Sequence, residues 1–264
     1  MSSGFARFTL LLPVFLFATP ACSMSASADA SSASPEAGLE PTTTRSLDRL
    51  AASFSAQSDG TSLHVYAALV GSGFLRVQGS DTLHAIVNGS DVALVERIET
   101  INGEKRVHYV AELASPPPEP DVSIVFARSG TAYASNVKLA ANFDVLGTPA
   151  SFKVGDQVRL RLTPQPKLGA SGPQQEWTGT SIAIQVQSAC ITGGASSVID
   201  PGDGTFVWDT STLVVDSTSA GDCDLEVDVR LGTLGVVAKE LGSANVFHTG
   251  EGLQHRTFRT ILKR

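Results

Sequence analysis

Aromatic, cationic and sulfur-bearing residues are all scarce in this chain of 264 residues. Aromatics make up 6%, including two tryptophans and three tyrosines, so an aromatic ligand platform could draw on few residues, chiefly Tyr66, Trp177 and Trp208. Lysine and arginine number 19 against 26 aspartates and glutamates, and the formal charge of −7 argues against general nucleic-acid binding. None of the three cysteines belongs to a Cys-x-x-Cys pair, which removes the zinc-ribbon and dithiol-redox readings. A Gly-x-Ser-x-Gly elbow, a phosphate loop, a His-Glu-x-x-His motif and the EF-hand spacing are all missing from the sequence. No enzyme and no cofactor is therefore expected. A hydrolase stays open as an alternative, because strands distant in sequence can bring two carboxylates together.

Long apolar runs are also absent after the N-terminal segment. There Arg7 precedes an apolar stretch from Phe8 to Ala18 that ends in Thr19-Pro20-Ala21-Cys22. At about eleven residues this stretch is too short for a permanent membrane span and suits an export signal. Residues 1–22 are read as that signal, and an exported protein of the periplasm, outer membrane or cell surface is expected. The end of the signal resembles the lipobox of bacterial lipoproteins, which implies acylation of Cys22 and a membrane anchor. Ordinary cleavage after Ala21, Ala28 or Ala30 is the alternative. Ser23, following the cysteine, resembles the signature of outer-membrane sorting. Removing Arg7 with the signal takes the charge to about −8.

Residues 23–60 are dominated by Ser, Ala, Thr and Pro and are expected to form a disordered linker. Within them, Leu47, Leu50, Ala51 and Phe54 have the spacing of a short amphipathic turn of helix. About 200 residues remain, enough for two all-β domains of roughly 90 to 115 each. The first is expected over 61–147. Leu63, Val65, Ala67 and Leu69 alternate with His64, Tyr66 and Ala68 in a strand. Asn88-Gly89 and Asn102-Gly103 then punctuate a three-strand meander running 82–87, 91–101 and 105–113, each dipeptide suited to a type I′ hairpin. Pro117-Pro118-Glu119-Pro120 must lie outside any central strand. Val122, Ile124 and Phe126 restart the alternation, and a last strand runs from Val137 and Leu139 toward Phe143 and Val145.

Gly147-Thr148-Pro149 is the expected boundary, with the second domain over 148–264. Phe152-Lys153-Val154-Gly155-Asp156 is expected to turn into a first strand with Val158, Leu160 and Leu162 on one face and Gln157, Arg159 and Arg161 opposite, and further strands are expected at 182–188, 205–209, 212–215, 223–231, 235–239 and 256–262. In the strand over 223–231 Cys223, Leu225, Val227 and Val229 share one parity, with Asp224, Glu226, Asp228 and Arg230 expected to face water. Cys190 has the parity of Ile182, Ile184 and Val186, so it and Cys223 are expected to form a structural disulfide, leaving Cys22 over for the anchor.

The segments Phe152-Lys153-Val154-Gly155-Asp156 leading into Val158-Arg159-Leu160-Arg161-Leu162, Ser188-Ala189-Cys190-Ile191, and Gln254-His255-Arg256-Thr257-Phe258 resemble those of bacterial Ig-like β-sandwich proteins, and more narrowly lipid-anchored envelope proteins of myxobacterial type. The resemblance implies two tandem Ig-like β-sandwich domains and supplies no catalytic residues.

Three groups of candidate site residues follow. His64, His84 and His108 lie opposite the apolar parity of their strands and could share a sheet face as a metal patch; scattered surface histidines are the expected outcome, with no metal. Asp200, Asp203, Asp209, Asp216, Asp222 and Asp224 could supply oxygens to calcium, but they also suit tight turns. Arg256, Arg259, Lys263 and Arg264 form a basic edge that could meet lipid headgroups or a partner, although a solvated terminal strand is the expected outcome. The resulting expectation is a non-catalytic envelope protein that holds an interaction surface for a protein or glycan partner away from the membrane. A carbohydrate- or calcium-dependent binding module is the alternative.

Overall fold

A computed structural model describes residues 39–166, 180–193, 197–199, 205–219, 221–242 and 249–264. The expected export signal with Cys22, residues 23–38 of the expected linker, Trp177, and Asp200 and Asp203 of the acidic group lie outside the described residues.

The described chain is all-β. It opens with β1 (Glu40–Pro41), two single turns of 3-10 helix (Thr42–Thr44 and Leu47–Arg49) and β2 (Ala51–Ser58). The linker expected over 23–60 therefore ends by residue 40, and the amphipathic turn expected around Leu47 continues as a strand after Leu50. Alternation explains this: Ala52, Phe54, Ala56 and Ser58 all point inward, and Ala56 and Leu50 are fully buried. There follow β3 (Ser62–Val70), β4 (Phe74–Arg76), β5 (Thr82–Val87), β6 (Ser90–Val92), β7 (Val95–Ile101), β8 (Glu104–Ala114), β9 (Asp121–Arg128) and β10 (Thr131–Lys138).

Both Asn-Gly hairpins form as expected. Asn88 and Gly89 take φ of 48° and 82°, Asn102 and Gly103 take 53° and 81°, and each pair spans a two-residue loop. A third hairpin of the same kind, Ser129-Gly130, joins β9 to β10. The expected middle strand 91–101 is broken at Ala93-Leu94: β6 pairs with β5, whereas β7 pairs with β8 in a different sheet.

The second half comprises β11 (Asp144–Leu146), β12 (Ser151–Lys153), β13 (Gln157–Thr163), β14 (Ser181–Gln187), β15 (Ile191–Gly193), β16 (Ser197–Ile199), β17 (Phe206–Asp209), a 3-10 turn (Thr210–Thr212), β18 (Val214–Val215), β19 (Cys223–Leu234) and β20 (Thr249–Lys263). The strand expected over 235–239 is only a bridge from Val236 to Asn136; Ala238 and Leu241 instead pack with Leu50, Leu69, Leu75 and Phe126 in a separate apolar cluster. In contrast, β20 begins seven residues before the expected Arg256.

These strands form a ten-stranded sheet in the order β1-β4-β3-β2-β20-β19-β14, in which β8 also pairs with β3, β7 with β8, and β12 with β20. Two four-stranded sheets, β10-β9-β5-β6 and β11-β13-β17-β16, pack on its inner face. The first encloses a core of Phe54, Leu63, Val65, Val122, Ile124 and Val137. The second encloses Leu160, Leu162, Phe206, Trp208, Val227 and Val229.

Leu139 belongs to the first core and Phe143 to the second, so the chain passes between them at 140–142, ahead of the expected Gly147-Thr148-Pro149. The expected strand through 137–145 is correspondingly two: β10 in the first sheet and β11 against β13 in the second. One strand sews the cores together. β20 pairs parallel with β2 at its start and parallel with β12 at its end, and is antiparallel to β19 along most of its length.

Candidate functional site

Because side chains alternate across a strand, covering the inner face of the ten-stranded sheet leaves the opposite parity for the outer face. Register places these residues in rows. Tyr66 lies between Ser55 of β2 and Val110 of β8, and Val95 of β7 lies beyond Val110. His64 lies between Gln57 and Glu112 in the neighbouring row. Across β20, Ser55 is level with Glu251 and Gln57 with Leu253. Gln57, His64, Glu112 and Glu251 are exposed, so polar groups line this face along β2, β3, β8 and the start of β20.

One end of the face is aromatic. Tyr66 and His108 stack with ring centroids 5.1 Å apart, and His108 Nε2 lies 3.6 Å from the Glu99 carboxylate. Burial, reinforced by the Glu99 charge, pushes the Tyr66 hydroxyl above its ordinary pKa. The other end is ionic. Asp228 accepts a 2.6 Å bond from Arg230 Nε, and its second oxygen lies 3.1 Å from His255 Nδ1 and 3.5 Å from the Thr257 hydroxyl. Burial raises the Asp228 carboxyl, but the bonds to His255 and Arg230 outweigh it and leave the group below the usual carboxylate range. Asp228 was expected to face water and is only 7% exposed. Its neighbours on β19 and β20 enclose it although it points away from the core.

The histidines do not converge. His64 and His108 share the outer face on different strands, with His64 near the Ser62 hydroxyl at 3.2 Å, whereas His84 belongs to another sheet and sits 3.6 Å from Asp91. Three of the described aspartates in the acidic group are already engaged. Asp209 accepts from the Ser211 N–H, Asp216 from the Thr218 N–H, and Asp222 pairs with Lys263. Among the described residues no three His, Cys, Asp or Glu side chains gather as a metal site.

The C-terminal basic edge is largely tied back into the same acidic loop. Arg264 donates to the carbonyls of Ser219 and Asp216. Arg259 lies 3.8 Å from Glu226, and Arg256 is drawn inward with its guanidinium 5.0 Å from the centre of the Phe143 ring. Trp208 is fully buried against Phe152, which removes it from any surface platform.

The disulfide between Cys190 and Cys223 forms, with Cα atoms 6.4 Å apart. Extending the β14–β19 register by three residues from Gln187 opposite Glu226 sets the two cysteines face to face, so the bond closes one ladder instead of bridging two layers. The Ser188 hydroxyl lies 3.1 Å from each sulfur and donates to the Asp224 carbonyl.

Two buried polar groupings escaped the sequence reading. Arg128 grips the Asp81 carboxylate at 2.6 Å and donates to the carbonyls of Thr42 and Arg45, fastening the N-terminal segment to the first core. Tyr109 accepts the Val77 N–H at 2.7 Å and donates to Glu96, and burial pushes its hydroxyl up to about 12. Both link residues far apart in sequence, so no local spacing marks them. An open groove lined by Ile86, Asn88, Pro117, Pro118, Glu119 and Lys138 flanks the first core.

No family model matches the chain, and no curated protein matches it. Among solved structures it is similar to the full ectodomain, Ig1–Ig3, of mouse nectin-like molecule 4, with 10% identity and a TM-score of 0.27 over 79% of this chain and 63% of that one. It thus spans less than two thirds of that ectodomain. It is also similar to the titin Ig tandem A164–A165, at 12% identity and a TM-score of 0.23 over 81% of this chain and 95% of that one. The tandem Ig repeats of Dlar give 12% identity and a TM-score of 0.24 over 81% and 96%.

Proposed function

We propose that this is an exported, non-catalytic envelope protein, held by a lipid on Cys22 and a Ser/Ala/Pro-rich spacer, that presents the outer face of its ten-stranded sheet to a protein partner. One observation carries the reading. A single sheet runs over both cores with its inner face covered by two further sheets, while Gln57, His64, Glu112 and Glu251 stand exposed on the opposite side. Antiparallel sheets with one packed and one solvated face offer a flat, rigid surface on which side chains are fixed by register. The disulfide supports export, since such bonds persist in oxidising compartments.

Two measurements test the halves of this proposal. Metabolic labelling with a clickable fatty acid should mark the wild-type chain and leave Cys22→Ser unlabelled; equal labelling of both removes the anchor. For the surface, native envelopes are crosslinked with wild-type protein, with a His64→Glu/Glu112→Arg double variant, and with Arg161→Glu on the exposed side of β13 as control. The double variant should lose the crosslinked partner and the control should retain it. Retention by both places the interaction elsewhere and overturns the assignment.

A further inference from the structure

Exposed strand edges present unpaired N–H and C=O groups, and proteins guard them with charged residues, proline or bulges. Most edges of this fold are guarded in that way. Glu40 lies on β1, Asp91 on β6, Arg97 on β7, Lys138 on β10 and Asp144 on β11.

One side of the second core is different. No residue from Trp177 to Ile199 is charged, in a chain whose overall charged content is 17%. That stretch contains β14, the terminal strand of the ten-stranded sheet, and β16, the terminal strand of the facing four-stranded sheet. The two strands run close to each other along this side of the second core. Among the described residues β19 is the one ladder partner of β14. The strand itself, Ser-Ile-Ala-Ile-Gln-Val-Gln, has no proline and no register shift in its pairing with β19. Its inward residues Ile182, Ile184 and Val186 pack on the second core, so its faces are fixed, while among the described residues no charge, proline or bulge of the strand itself guards its outer edge.

We propose that β14 is a self-pairing edge, on which a second copy of this chain adds its own β14 in antiparallel register. A two-fold axis normal to the sheet through Ile184 sets Ile182 opposite Val186 and Ser181 opposite Gln187. Residues of equal parity then meet, as antiparallel pairing requires, and the apolar row stays inward in both copies. The contact is isologous and closed, so it yields a dimer and not a filament. Both outer faces come to lie on the same side of one continuous sheet, which doubles the surface proposed above. The dimer is nevertheless independent of that surface, because it uses the edge and not the face.

Sedimentation of the full exported chain over a wide concentration range tests the idea, beside Ala183→Glu and the control Thr100→Glu on β7. Ala183 is exposed and opposite Arg230 within its own sheet, so the glutamate gains an ion partner in the monomer; across the two-fold the paired glutamates become diagonal neighbours of like charge. The wild type and the Thr100→Glu control should dimerise alike, and Ala183→Glu should weaken the dimer by roughly tenfold or more. A Ser181→Cys/Gln187→Cys chain should also form an intermolecular disulfide on oxidation. A wild type monomeric throughout, a dimer indifferent to Ala183→Glu, or a double-cysteine chain that fails to crosslink overturns the proposal. A different protein captured at this edge while the chain alone stays monomeric likewise overturns self-pairing.

Discussion

Gly250 lies opposite Phe54 across the parallel β2–β20 ladder, and a Cβ at position 250 would overlap the Phe54 ring. The close approach of the late strand to the early one depends on that missing methyl group. Gly250→Ala should therefore cost about 1–3 kcal/mol through overpacking, measured by urea unfolding. Pairing it with Phe54→Leu should recover part of the loss. Additive losses in the double variant would show that the two sites are not in steric contact.

The bond between Cys190 and Cys223 closes a 33-residue separation at the end of an existing ladder. Replacing both cysteines with serine should lower stability by about 2–4 kcal/mol, chiefly by freeing the unfolded chain. The β14–β19 pairing should survive, since seven registered residue pairs hold it without the bridge. Hydrogen exchange on β14 separates the two effects: protection there should fall no further than global stability does.

Arg128 and Asp81 form the most enclosed ion pair among those described, the Asp81 side chain being fully buried. Arg128→Ala should cost about 3–5 kcal/mol because it strands that carboxylate, and limited proteolysis should then cut first near Thr42–Arg49. Cleavage that starts elsewhere would detach the pair from its role in fastening this segment.

Acid sensitivity follows from Asp81 and Asp228. Burial raises both carboxyls, the bonds from Arg128 and Thr42 in one case and from His255 and Arg230 in the other outweigh it, and both end below their ordinary values. A carboxyl whose folded pKa is depressed adds stability that is fully present above the unfolded value of about 3.9 and is lost as pH falls through the folded value. Asp228→Asn should be less stable than wild type at neutral pH, with the difference shrinking below about pH 4. A constant difference across that window would mean that the carboxylate charge contributes nothing.

The two Asn-Gly turns should age differently. Both asparagines are exposed, but Asn88 Oδ1 accepts the Asp121 N–H at 2.7 Å, which holds its side chain, whereas Asn102 stands at the tip of the β7–β8 hairpin. Attack by the Gly103 nitrogen on the Asn102 side-chain carbonyl releases ammonia, and water opens the resulting succinimide to aspartate or isoaspartate. Peptide mapping after mildly alkaline incubation should find this conversion several-fold faster at Asn102. Equal rates in the folded protein would remove the protective role of the Asp121 bond.

Much of the fold is legible in local pattern. Strict alternation in Val158-Arg159-Leu160-Arg161-Leu162 and in the strand from Cys223 fixed which side chains face inward, and Asn-Gly fixed two turns because it tolerates positive φ. Cys190 and Cys223 are marked as a pair by their parity and by the count of three cysteines, which leaves Cys22 over. The failures have a common cause. β2 is written in Ser and Ala, whose small size hides the period of two, and the passage from Leu139 to Phe143 keeps an apolar alternation while the chain changes cores. The candidate face was legible as a parity but not as a site, since rows such as Gln57, His64 and Glu112 come from three strands.

The sequence by itself determined which residues of most strands are inward and where two hairpins turn, because each is set by neighbours a few positions apart, and it pointed to the cysteine pair through strand parity and the count of three cysteines. Only the tertiary structure decided that β20 lies between β2 and β19, that Arg128 holds Asp81, and that the basic terminus folds onto the acidic loop. Those pairings join segments dozens of residues or more apart. Many strands of similar alternation could have taken the same place, and the choice among them rests on shape and buried polar partners that exist only once the chain has closed on itself.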